Sequence, residues 1–251
     1  MRIFIISLSL YFISLFSLCG QVVNIEKKRK GLNDGLQGDI DLSISFTKNV
    51  SNILQAKNSI KLQYYRGQSL ILFLNDISMV KVGGTDYLNE GFQHLRYNYS
   101  FNNFNWLTAE TFIQYQYNSI RKIQRRFLAG LGPRLSLVDT SRIRLHTGPL
   151  IMYENELISG EDSPSQKIRM SVYLAFTFDL SEQLSFSIIT YYQPHIIAFN
   201  NYRIAMESYL KVKLYQKLSL KIILESSYDS RPPESIPSMM YSLNTGLNYA
   251  F

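Results

Sequence analysis

Leu36-Gln37-Gly38-Asp39-Ile40-Asp41-Leu42-Ser43-Ile44-Ser45-Phe46-Thr47 is the stretch on which the fold turns. Leu36, Gly38, Ile40, Leu42, Ile44 and Phe46 alternate with Gln37, Asp39, Asp41, Ser43, Ser45 and Thr47. Successive side chains of a strand point to opposite faces, so this period of two predicts a strand with one apolar and one polar face. The same period returns along the chain. Ile60, Leu62 and Tyr64 oppose Lys61 and Gln63; Leu95, Tyr97 and Tyr99 oppose His94, Arg96 and Asn98; Ile113 and Tyr115 oppose Gln114 and Gln116. It continues through Phe127 to Arg134, Ile143 to Glu154, Ile168 to Asp179, Leu184 to Ile188, Ile204 to Lys213, Leu218 to Glu225 and Tyr241 to Phe251. One further segment, Leu70 to Val82, is apolar enough for a strand but alternates poorly. Twelve strands are predicted, and the fold class is all-β.

Composition bounds the rest. The 251 residues are 46% hydrophobic and 18% charged, which argues against disorder. Mean hydropathy is −0.07, which excludes a polytopic helical membrane protein. Tyr and Phe number 18 and 15, against a single Trp. Cys19 is the only cysteine, so disulfide frameworks and cysteine-based metal sites are excluded. Residues 1–20 have the layout of a cleaved signal peptide: Arg2, an apolar run from Ile3 to Leu18, then small residues at Cys19 and Gly20. The run falls short of the ~20 residues an anchor helix needs. Bulky Leu18 argues against acylation of Cys19. Cleavage at Gly20 would take the net charge from +7 to 26 − 1 − 19 = +6. Export removes nucleic acid from the partners that a basic chain suggests. Residues 21–35 are read as a short basic periplasmic segment, its Lys27-Lys28-Arg29-Lys30 run a solvated tail. Residues 36–251 are read as the barrel.

A soluble sandwich would turn the apolar faces inward, whereas an outer-membrane barrel turns them toward lipid. Strand length favours the membrane, because about 9–11 tilted residues cross a bilayer. So does an even strand count, with Tyr and Phe at the ends of the apolar stripes as interfacial girdles. The chain ends on a strand at Phe251, the residue expected to meet the barrel-assembly machinery. Turns after even-numbered strands are predicted to be short, and those after odd-numbered strands long, at 83–90, 156–166, 196–201 and 229–239. The last strand is expected to pair with the first, since a sheet edge in lipid leaves amides unsatisfied.

Gly91-Phe92-Gln93-His94-Leu95-Arg96-Tyr97-Asn98-Tyr99, Gly130-Leu131-Gly132-Pro133-Arg134 and the segment from Ser227-Tyr228-Asp229-Ser230-Arg231-Pro232-Pro233 to Leu247 carry a family likeness. In these the sequence resembles the salt-induced outer-membrane proteins, also called domain of unknown function 481. The resemblance implies an outer-membrane barrel of a Gram-negative bacterium and no chemistry.

The polar faces hold ten cations: Lys61, Arg96, Arg126, Arg134, Arg144, Arg169, Arg203, Lys211, Lys213 and Lys221. Seven acids share them: Asp39, Asp41, Glu110, Glu154, Asp179, Glu207 and Glu225. An excess of three cations predicts a narrow pore mildly preferring small anionic solutes. The alternative is an interior filled by mutually paired charges, in a closed barrel that engages partners through the loops 156–166 and 229–239. Catalysis is not expected. His94 and His146 lie on polar faces with no Ser–Asp partner nearby, and a rim hydrolase would have only His195 and Asp229. No cofactor or metal motif occurs, and the expected surroundings are outer-membrane lipid.

Overall fold

The computed structural model describes residues 34–48, 51–215 and 218–249. The signal peptide with Cys19, most of the basic segment and Phe251 lie outside the described residues. Twelve strands follow one another: β1 (Gly35–Lys48), β2 (Asn52–Arg66), β3 (Ser69–Val82), β4 (Thr85–Ser100), β5 (Leu107–Asn118), β6 (Ile123–Asp139), β7 (Ile143–Ile158), β8 (Ser165–Asp179), β9 (Leu184–His195), β10 (Ala198–Tyr215), β11 (Leu218–Asp229) and β12 (Met239–Tyr249). Each pairs antiparallel with its neighbour in the chain, giving one up-and-down sheet in the order β1 to β12. The sheet curls on itself, so that side chains of distant strands meet inside it.

The long–short loop rule holds only in part. β3 and β4 are joined by Gly83 and Gly84 alone, not by the long loop expected at 83–90. Both glycines have positive φ (59° and 86°), the tight hairpin turn that other residues resist. β9 and β10 are likewise joined only by 196–197, while 101–106 on the opposite rim is longer than its place in the alternation suggests. The connections 159–164 and 230–238 are the extended ones on their rim. That rim, which follows the odd-numbered strands, is called the upper rim below.

The outer surface is apolar. Leu131 is 67% exposed, Ile151 63% and Leu174 50%, and Leu95, Ile113 and Leu243 join them. Aromatic rings flank this belt. Toward the upper rim Tyr192, Tyr202 and Tyr228 form a ladder with centroids 5.7 Å apart at each step. Toward the lower rim Tyr99 meets Phe101 edge-on at 5.3 Å, and Phe104 lies 6.1 Å from Trp106.

The inner surface departs from the expected polar lining. Phe112, Leu128, Leu150, Met152, Tyr173, Ala175, Ile189 and Tyr191 form a buried apolar cluster on the same face as the buried arginines. Leu72, Leu74 and Phe92 form a second cluster. This second cluster accounts for the weak alternation of β3: Leu70, Leu72 and Leu74 point inward while Ile71 and Phe73 point outward, so both faces are apolar. A curled twelve-strand sheet encloses little space, and packed side chains fill it where water is excluded.

The expected pairing of β12 with β1 is not among the described strand pairings. From Gly38 onward β1 is exposed on both faces. The contacts between distant strands described below reach as far as β11.

An ion-paired layer inside the curled sheet

Three arginines and three carboxylates from five strands meet in the upper half of the interior. Arg126 is on β6, Glu154 and Glu156 on β7, Arg169 on β8, Arg203 on β10 and Asp229 on β11. Period-two geometry aims each side chain inward, and the antiparallel register sets their height: Arg126 pairs with Glu156, Met152 with Arg169, and Arg203 with both Gln193 and Asp229. Glu154 is fully buried and serves as the hub. Arg126 Nε donates to its Oε1 at 2.7 Å, Arg169 Nε donates to its Oε2 at 2.6 Å, and Arg203 Nη1 also donates to Oε1. Arg203 forks further, donating through Nη2 to Glu156 at 2.8 Å and through Nε to Asp229 at 2.6 Å. The layer is neutral, three charges against three. Charge-assisted, multiply bonded pairs of this kind are the form in which buried ions are tolerated.

Arg169 shows how local backbone irregularity completes the layer. Pro194 has no amide hydrogen, and the β9–β10 register jumps between Ala198 and Tyr202 opposite it. Asn201 therefore lies outside the paired register, and its carbonyl and that of Gln193 accept from Arg169 Nη1 at 3.2 and 3.1 Å. The Asn201 side chain accepts from Nη2 at 3.0 Å.

A second polar group lies deeper. Glu110 accepts from Asn98 Nδ2 at 2.9 Å and from the Tyr173 hydroxyl at 2.8 Å, the latter from three strands away. Arg96 stands 3.4 Å from the same carboxylate and over the Phe112 ring. Two glycines seat these rings. A Cβ on Gly148 would lie 2.4 Å from the Tyr173 ring, and one on Gly130 would lie 2.6 Å from that of Phe112. Tyr173→Phe is expected to cost about 1.5–3 kcal/mol, the worth of a hydrogen bond to a charged group, read as a lowered denaturation midpoint at unchanged m-value.

The other candidate residues are placed as follows. Arg134 and Glu207 are buried. Arg144 bridges Asp179 at 3.0 Å, half-exposed, and Glu225 accepts from Ser242 at 3.1 Å. Lys61 stands opposite Asp39 in the β1–β2 register, and Asp41 is exposed. Lys211 faces Lys221 across β10–β11, and Lys211 and Lys213 are exposed near the lower rim. His94 lies between the Phe92 and Phe112 rings with Nδ1 3.0 Å from Gln114 Oε1. His146 and His195 are half-buried. Asp229 has both oxygens engaged, one by Arg203 and the other by the Arg231 amide at 2.9 Å, the turn-forming role its sequence suggests. Sequence reasoning missed Glu156, Asn201 and Arg121. Glu156 follows Glu154 at strand spacing and was within reach of the pattern; Asn201 and Arg121 sit where no period applies.

These observations define an all-β protein of twelve antiparallel up-and-down strands with a packed, ion-paired interior. The chain belongs to the family described as "Protein of unknown function, DUF481", whose model matches residues 41–251. Among solved structures it is similar to the KdgM porin, at 11% identity over 84% of this chain and 98% of that one, with a TM-score of 0.43. It is also similar to the NanC porin (10% identity, 85% and 100%, TM-score 0.45). A third similar structure is OccK11 (OpdR) of Pseudomonas aeruginosa (10% identity, 88% of each chain, TM-score 0.35). No curated protein matches the chain.

Proposed function

We propose that this protein is a β-barrel of the Gram-negative outer membrane whose interior is closed at rest by the ion-paired layer. It then serves as a narrow pore that conducts only when that layer is disturbed. Lipid is the solvent that suits the outer surface, since an apolar belt between aromatic girdles would be a liability in water. The observation that carries the closure is Glu154, held by Arg126, Arg169 and Arg203 from three different strands. The anion preference suggested by the cation excess does not arise from this layer, where the charges cancel. Any such preference comes from Lys211, Lys213 and Lys221 at the lower rim.

Current through refolded protein in a planar bilayer tests this reading. The wild type is expected to give small, infrequent steps. Arg203→Ala removes three of the layer's contacts at once and is expected to raise the step size at least several-fold. Large, steady steps from the wild type, equal to those of the variant, would sink the proposal of a closed interior.

A further inference from the structure

Resting on that reading and going beyond it, we infer that Arg121 is a second, independent closing element: a finger from the β5–β6 turn that partitions the barrel. Arg121 lies in the turn 119–122 on the upper rim, where an arginine would ordinarily reach into solvent, yet it is only 5% exposed. Its amide donates to Asn118 Oδ1 at 2.9 Å, which turns the residue inward. Its Nη2 then donates to Ser227 Oγ at 3.2 Å. Ser227 is on β11, six strands from β5 in a twelve-strand order, so this bond joins opposite walls.

The neighbouring residue makes a parallel crossing. Lys122 Nζ donates to the Glu234 carbonyl at 3.0 Å, tying the same turn to the connection 230–238. Lys122 has φ of 57° and Ser235 of 67°, left-handed conformations that non-glycine residues adopt at a cost. The turn is anchored on its own side too. Ser119 exchanges hydrogen bonds with Asn89 at 3.0 Å each, and the Ser159 amide donates to the Lys122 carbonyl at 2.7 Å.

The chord from β5 to β11 leaves the ion-paired layer on one side, among β6 to β11. On the other side lie β12 and β1 to β4, where the inward residues Asp41 and Lys57 are exposed while Leu72, Leu74 and Phe92 are buried. A small recess lies beside the finger, lined by Arg121, Glu225, Ser227 and Ser242 among others. The ion pairs thus fill one side of the interior, and Arg121 spans it beside them. Its guanidinium, with Glu225 beside it, is the charge that a small ion passing along the β1–β4 side would meet.

The test is single-step conductance of Arg121→Cys in a Cys19→Ser background of the full chain, followed by aminoethyl methanethiosulfonate. The expected result is a step at least twofold larger than in the Cys19→Ser parent. Restoring a positive side chain with the reagent should reverse the increase, a response that a merely structural role would not give. Ser227→Val keeps the finger and removes only its far anchor, and it is expected to show rapid switching between the two levels. Steps of parental size in both variants, unmoved by the reagent, would overturn the role of Arg121 while leaving the ion-paired closure intact. Large steps in the parent would instead count against that closure, and the reagent response of Arg121→Cys would still report on the finger.

Discussion

Replacing Glu154 by glutamine is expected to lower the unfolding free energy by about 3–5 kcal/mol, the cost of removing one partner from a buried ion pair. The size follows from the hub position. Without this carboxylate, Arg126, Arg169 and Arg203 share only Glu156 and Asp229, and a net positive charge is left in a site that is 0% exposed at its centre. Asn201 and Gln193 still hold Arg169 through neutral acceptors, so the loss should fall chiefly on Arg126 and Arg203. Denaturant unfolding in micelles would measure it. The double variant Glu154→Gln/Arg126→Gln should recover part of the loss, because contacting residues are not additive. A single variant as stable as the wild type would mean that the layer contributes no stability.

The second large effect concerns the outer surface. Ile151→Arg is expected to destabilise the membrane-inserted protein by about 2–4 kcal/mol, the cost of a cation facing lipid near mid-depth of a barrel. Ile151 is already 63% exposed, so in water the same change would be nearly neutral. The contrast makes the variant informative. Folding yield into vesicles should fall for Ile151→Arg and hold for Ile151→Leu. Equal yields for the two would remove the argument for a lipid-facing belt.

Much of the fold was legible because a strand writes its two faces directly into the sequence. Wherever one face was polar, the alternation located the strand and aimed residues such as Arg126, Glu154 and Arg169. The pattern weakened on β3 for a physical reason: Leu72 and Leu74 pack inside while Ile71 and Phe73 face outward, and an apolar residue reads alike on either side. The same ambiguity hid the inner cluster around Met152 and Ile189. Turn lengths were misjudged at Gly83-Gly84 because two glycines in sequence suggest a loose loop as readily as a tight hairpin. The meeting of Arg203 with Glu154 could not be read from either strand alone, since it depends on barrel curvature and strand height. Arg121 left no periodic signal, because its burial comes from the path of a turn.

The strictly sequential pairing of the twelve strands also has a consequence for the order in which the molecule is made. Every hairpin can form from neighbours in the chain, and local contacts of that kind form early. The interior bonds are different: Arg203 and Glu154 are 49 residues apart, and Arg121 and Ser227 are 106 apart. They can close only after the intervening hairpins have curled into place. The charged interior is therefore expected to lock at the end of assembly, contributing little to the transition state. Glu154→Gln should then accelerate unfolding while leaving the rate of folding almost unchanged, so that the buried charges of the interior also set how long it stays assembled.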